Sequence, residues 1–91
     1  MGVSPRFQLL SRPRCHLCRE MEGLLREVLP GLGIQFTVHD VDSDQEWRSR
    51  FGEVIPVLLR DGQPVAKIRL DRRRLLRLAR RSRSPEGIPG R

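Results

Sequence analysis

Apolar residues along the chain fall into short blocks whose spacing changes from one block to the next. Phe7-Gln8-Leu9-Leu10 is a compact run, which predicts a strand buried on both faces. Ser11 to Arg14, containing Pro13, reads as a turn. From Leu17 the apolar positions recur at Met21, Leu24, Leu25, Val28 and Leu29, the spacing of one helix face, and Pro30-Gly31 stops that helix. Ile34-Gln35-Phe36-Thr37-Val38-His39 then alternates apolar and polar, the pattern of a strand with one better-buried face. A strand, a helix and a strand in this order predict a right-handed parallel βαβ unit.

The second half carries sharper punctuation. Ser43 with Glu46 three residues later is a capping-box signature, which predicts a helix from about Asp44 to Phe51. Trp47 and Phe51 would share its buried face, and Gly52 would end it. Val57-Leu58-Leu59-Arg60 and Pro64-Val65-Ala66-Lys67-Ile68 flank Asp61-Gly62, a two-residue hairpin signal. Pro64 cannot donate to a ladder, so the second of these strands belongs at a sheet edge. Asp71 reads as the N-cap of a last helix that turns Leu75, Leu78 and Ala79 inward, with Leu76 beside them, and its arginines outward. From Ser82 the mixture of Ser, Pro, Gly and Arg predicts a disordered basic tail, so the domain is expected over residues 1–81 and the tail over 82–91. The resulting α/β order is β-α-β-α-β-β-α, a four-stranded mixed sheet flanked by helices.

Ninety-one residues suffice for one small core, and three Phe, one Trp and no Tyr make that core mainly aliphatic. The net charge of +7 comes almost entirely from arginine, Lys67 being the sole lysine, and is densest from Arg69 to Arg83. Such a block is ordinarily a solvated helix face with a basic tail. Stacking aromatics are absent beside it, so nucleic acid is not an expected partner. Phe7 to Leu10 is too short for a signal-peptide core, and no run approaches membrane-spanning length. A cytoplasmic protein with no membrane association is expected, and there a CxxC is redox-active or metal-binding rather than a staple.

Cys15-His16-Leu17-Cys18 holds both cysteines of the chain, between the first strand and the first helix. At that spacing on a helix the sulfurs share a face, within reach of a disulfide or a common metal ion. Cys15 falls at the helix N-terminus, where unpaired N–H groups and the macrodipole favour a thiolate. Arg12, Arg14 and His16 add positive charge nearby, and protonation of His16 near neutral pH would tune the effect. Cys15 is therefore the expected nucleophile and Cys18, one turn in, the resolving thiol.

With this CxxC at the start of the first helix and Val54-Ile55-Pro56 just before the hairpin, the chain resembles the glutaredoxin-like branch of the thioredoxin fold over roughly residues 6–80. Asp42 to Leu59, with Phe51-Gly52 followed by Ile55-Pro56-Val57-Leu58, carries much of the likeness. The resemblance implies a monomeric thiol–disulfide oxidoreductase that needs no bound cofactor. It would act on a disulfide-bearing protein or on glutathione, with glutathione or a reductase as electron donor. It implies a cis bond before Pro56, beside the CxxC, leaving the Ile55 backbone free to pair with an extended substrate. Two positions depart from the family. Leu17 stands where an aromatic residue is usual, and Ile68-Arg69-Leu70-Asp71 replaces a Gly-Gly turn, keeping Asp71 as the counterpart of an Asp that meets the glutathione amino group. Arg12, Arg14 and Arg69 are candidates for its carboxylates.

Two other readings compete. The cysteines could be half of a metal or iron–sulfur site completed in a dimer, with His39 the one distant imidazole. The arginine-rich last helix could serve a non-enzymatic interaction protein, whose binding would be steeply salt-dependent.

Overall fold

A computed structural model of the chain, which describes residues 5–81, contains four strands and three α-helices in the expected order. Strand β1 (Phe7–Ser11) lies between β2 (Phe36–Asp40) and β3 (Val57–Arg60), and β4 (Gln63–Lys67) completes the sheet in the order β2-β1-β3-β4. β1 runs parallel to β2 and antiparallel to β3, so the sheet is mixed. Helices α1 (His16–Val28), α2 (Gln45–Phe51) and α3 (Arg72–Arg81) fill the connections and the C-terminal end of the described chain.

Alternation along β1 divides the core in two. Phe7 and Leu9 face Met21, Leu25 and Val28 of α1 and Leu75, Leu78 and Ala79 of α3. Leu10 points the other way, with Val57 and Leu59, toward Val41 and Phe51 under α2, where Trp47 packs at the margin. The central strand is thus covered on both sides, which is why its sequence reads as a nearly unbroken apolar run. The exception is Gln8, buried on the α2 face, with its Nε2 3.5 Å from His39 Nε2.

Several boundaries move for identifiable reasons. Ile34, expected in the second strand, precedes it: its N–H donates to the Leu29 carbonyl, and its side chain is buried from the loop. β2 itself is a largely exposed edge, with Val38 40 % accessible. The first helix ends at Val28 with Leu29 as its C-cap, just ahead of Pro30 as expected, and Pro30–Leu32 then form a separate 3-10 turn that Gly33, at φ 74°, closes. The cap of α2 is Asp44 rather than Ser43, since the Trp47 N–H donates to Asp44 Oδ1 at 3.1 Å. Ser43 is occupied one turn earlier, its hydroxyl donating to the Asp40 carbonyl in the 3-10 turn Val41–Ser43.

Asp61 and Gly62 form the hairpin turn, both at positive φ, as a tight reversal matched to strand twist requires. β4 is the sheet edge and holds Pro64, but it ends at Lys67 rather than Ile68. Asp71 caps α3, accepting from the Arg74 N–H at 2.8 Å. The basic tail expected from Ser82 lies outside the described residues.

Candidate functional site

The pairing of Leu10 with Val57 makes the segment after β1 and the segment before β3 leave the sheet at the same end. The first of these segments delivers Cys15 and the second delivers Ile55-Pro56. Cys15 is the N-cap of α1, with extended backbone at φ −100° and ψ 109°. Its sulfur accepts a hydrogen bond from the Cys18 N–H at 3.1 Å, one of the donors left without a partner in the first turn of a helix. The two cysteines are joined as a disulfide, with Cα atoms 5.1 Å apart. They are not equivalent: Cys15 is half-buried, whereas Cys18 is 2 % exposed and packed into the molecule. Of the two, only Cys15 keeps appreciable exposure to an incoming substrate.

The Ile55–Pro56 bond is cis. Pro56 is buried, and its carbonyl accepts from the Ile68 N–H at 2.7 Å, which ties the loop before β3 to the turn after β4. Among the described residues no hydrogen bond uses the backbone N–H or C=O of Ile55.

The expected cationic residues separate. Arg12 is committed to the fold: its Nε and Nη2 donate to both carboxylate oxygens of Asp42, at 2.9 and 3.0 Å, and its Nη1 donates to the Gly52 carbonyl at 3.2 Å. These bonds hold the guanidinium above its ordinary pKa and Asp42 below the usual carboxylate range. Arg12 therefore does not stand free for a glutathione carboxylate, as its position in the sequence had implied. The parallel register of Ser11 with Asp40 brings Arg12 and Asp42 to the same end of the sheet, a proximity that the sequence alone does not signal. Gly52 belongs to this clamp. A Cβ there would stand 2.6 Å from the Arg48 carbonyl oxygen and 3.3 Å from Arg12 Nη2.

Arg14 is exposed beside Cys15, with its backbone at φ 65°. His16 turns toward Glu20, one turn along the helix, with Nε2 to Oε2 at 2.9 Å. Arg69 is exposed at the turn before α3, and the Asp71 carboxylate is engaged as a helix cap. The distant imidazole, His39, has Thr37 Oγ1 2.8 Å from its Nε2 and the Trp47 ring 5.3 Å away. Among the described residues no group of three or more His, Cys, Asp or Glu side chains is gathered in the manner of a metal site. Also among them, no helix is long and apolar enough to cross a membrane.

A four-stranded mixed sheet, a CxxC at the start of the first helix and a cis-proline ahead of the third strand define a protein of the thioredoxin fold. Residues 6–78 match the Glutaredoxin-like domain (DUF836), and the chain belongs to that family. An uncharacterised protein of Mycobacterium tuberculosis is 32 % identical over 76 residues, covering 78 % of each chain. A Nitrosomonas europaea protein solved by NMR superposes with a TM-score of 0.74 at 20 % identity, over 87 % of this chain and 95 % of its own. An X-ray structure of an X. campestris protein gives 0.65 at 26 % identity, over 79 % of this chain and 92 % of its own. A mutant thioredoxin from Halobacterium salinarum gives 0.65 at 22 % identity, over 94 % of this chain and 79 % of its own.

Proposed function

We propose that the protein is a thiol–disulfide oxidoreductase in which Cys15 is the nucleophile and Cys18 the resolving thiol. The observation that carries this reading is the asymmetry of the pair. The accessible sulfur sits on the N-cap of α1 and accepts a backbone N–H, while its partner is buried one turn in. A hydrogen bond from a backbone donor and the positive end of the helix both favour the charged form of sulfur.

In the reduced protein the Cys15 thiolate attacks one sulfur of a substrate disulfide. The substrate S–S bond breaks, its electron pair leaves on the second sulfur, and a mixed disulfide with Cys15 remains. Cys18 then loses its proton and attacks Cys15 Sγ. This breaks the mixed disulfide, releases the second substrate thiol and regenerates the Cys15–Cys18 bond. Two electrons from two glutathione molecules, which become glutathione disulfide, or from a dithiol reductase, return the protein to the dithiol.

The Ile55 backbone, with no internal partner among the described residues, supplies a main-chain donor and acceptor for an extended substrate segment. Arg14 remains available to an anionic group, and the Asp71 carboxylate retains acceptor capacity beyond its cap. With Arg12 bound to Asp42, glutathione would meet fewer cations than the sequence implies, which favours a protein disulfide as the substrate. A reducing compartment such as the cytoplasm suits this chemistry.

Single-cysteine variants test the assignment. Cys15→Ser abolishes disulfide reduction, and Cys18→Ser accumulates a mixed disulfide that mass spectrometry detects at Cys15. Equal activity in both variants and the unsubstituted chain would overturn the assignment.

A further inference from the structure

Beside the disulfide, between α1 and the turn joining β4 to α3, lies a groove of about 180 Å³. Leu17, Leu24, Ile68 and Leu70 line it, with Glu20 and Arg69 among its polar residues. Leu17 is one of the two residues between the cysteines, so the groove begins where a bound substrate would emerge. Ile68 is the unusual member. It is 42 % exposed and holds φ at 69°, a left-handed backbone that a β-branched side chain strongly disfavours. Core packing does not account for it, because the side chain is not in the core. Two bonds accompany the conformation: the Arg69 N–H donates to the Lys67 carbonyl at 2.7 Å, closing a three-residue turn around Ile68, and the Ile68 N–H donates to the Pro56 carbonyl, tying that turn to the loop opposite Cys15.

The charges around the groove are also unequal. Glu20 is engaged by His16, and the Asp71 carboxylate caps α3. Arg69, and Arg14 and Arg19 beside the disulfide, are exposed and have no acidic partner among the described residues. The exposed acid on the far side, Glu53, lies near Arg12 in the loop before Ile55. The groove is therefore apolar at its centre, and around the disulfide the three exposed arginines without acidic partners outnumber the two engaged carboxylates, Glu20 and Asp71.

We propose that this groove selects the substrate: an oxidised polypeptide in which the reacting cysteine is followed by an apolar residue and then by acidic ones. The apolar side chain covers Leu17 and Ile68, and the carboxylates meet Arg69, with Arg14 and Arg19 steering the approach. This deepens the oxidoreductase reading and rests on it.

The test uses the full chain, reduced, and peptides carrying one cysteine as a mixed disulfide with a chromogenic aryl thiol. Attack by Cys15 forms the protein–peptide disulfide and breaks the peptide–aryl bond. The electron pair leaves on the coloured aryl thiolate, so each event is counted without added oxidant or reductant. A Cys-Leu-Glu-Glu peptide should react about tenfold faster than Cys-Leu-Lys-Lys at low ionic strength. In about 0.5 M salt the gap should close to within about threefold. Arg69→Glu should reverse the order, its fold being checked by amide NMR, and Ile68→Ser should erase the advantage of Cys-Leu-Glu-Glu over Cys-Ser-Glu-Glu. Equal rates for the acidic and basic peptides, or an order untouched by Arg69→Glu, would overturn the inference while leaving the redox reading intact. Titration of the labelled protein with a disulfide-free Ser-Leu-Glu-Glu peptide separates the two. Shifts at Leu17, Ile68 and Arg69 without attack on any peptide would overturn the redox reading and support the groove; neither shifts nor attack would overturn both.

Discussion

At the scale of single residues, the site depends on a support that touches neither cysteine. Arg12 ends the run from β1 and fastens itself to Asp42 and to the Gly52 carbonyl, fixing the base of the loop that presents Cys15. Gly52 has an ordinary helical backbone at φ −57°, so its lack of a side chain matters for space rather than for conformation. Gly52→Ala would press a methyl group against the Arg48 carbonyl. Overpacking of that kind costs about 1–3 kcal/mol, which should appear as a lowered denaturant midpoint at unchanged slope. The Asp42 pair gives a pH signature whose sign follows from the lowered carboxylate pKa. Its contribution to stability is complete above the unfolded-state value near 4 and is lost as pH falls through the lower folded-state value. Unfolding followed at a series of pH values should therefore show this loss on the acid side, and Asp42→Asn should remove that part of the slope.

At the scale of elements, each helix is specified twice, by an apolar stripe and by a cap. Leu25 of α1 is fully buried against the sheet, and Leu25→Ala should cost about 2–5 kcal/mol in denaturant unfolding. Asp71→Ala and Asp44→Ala should each cost about 0.5–2 kcal/mol, the loss of an N-cap. Ser43→Ala should cost less than Asp44→Ala by the same measurement; the opposite order would restore Ser43 as the cap. The elements were legible because local pattern and burial agree in them. β1 is apolar and doubly covered, α1 and α3 keep helical periodicity, and Asp61-Gly62 fits a turn that needs positive φ. Legibility failed where tertiary context chose between similar signals. Ser43 and Asp44 are both good caps, and a 3-10 turn took the first. Ile68 continues the strand pattern, yet its N–H is drawn to Pro56, more than ten residues earlier.

At the scale of the whole molecule, the sheet acts as a jig. It brings residues 15–18 at the start of α1 together with residues 54–56 and 68–70 from two separate loops, and none of these is a site alone. The cysteines were legible because their chemistry is carried by residue type and spacing, whereas the cis bond before Pro56 was legible only through the family resemblance. The clamp and the groove were not, because Arg12 and Asp42 are 30 residues apart, and Leu17 and Ile68 lie in different elements. The charge of +7 acts at this scale too, attracting anionic partners over about 10 Å at ordinary ionic strength. In the proposed function Cys15 and Cys18 cycle between dithiol and disulfide. The most direct test equilibrates the protein in graded glutathione buffers and counts free thiols by mass spectrometry. A reversible two-electron transition between roughly −270 and −120 mV, where thiol–disulfide oxidoreductases lie, is the predicted result. Thiols that stay reduced across the whole series, or that come occupied by metal, would contradict it.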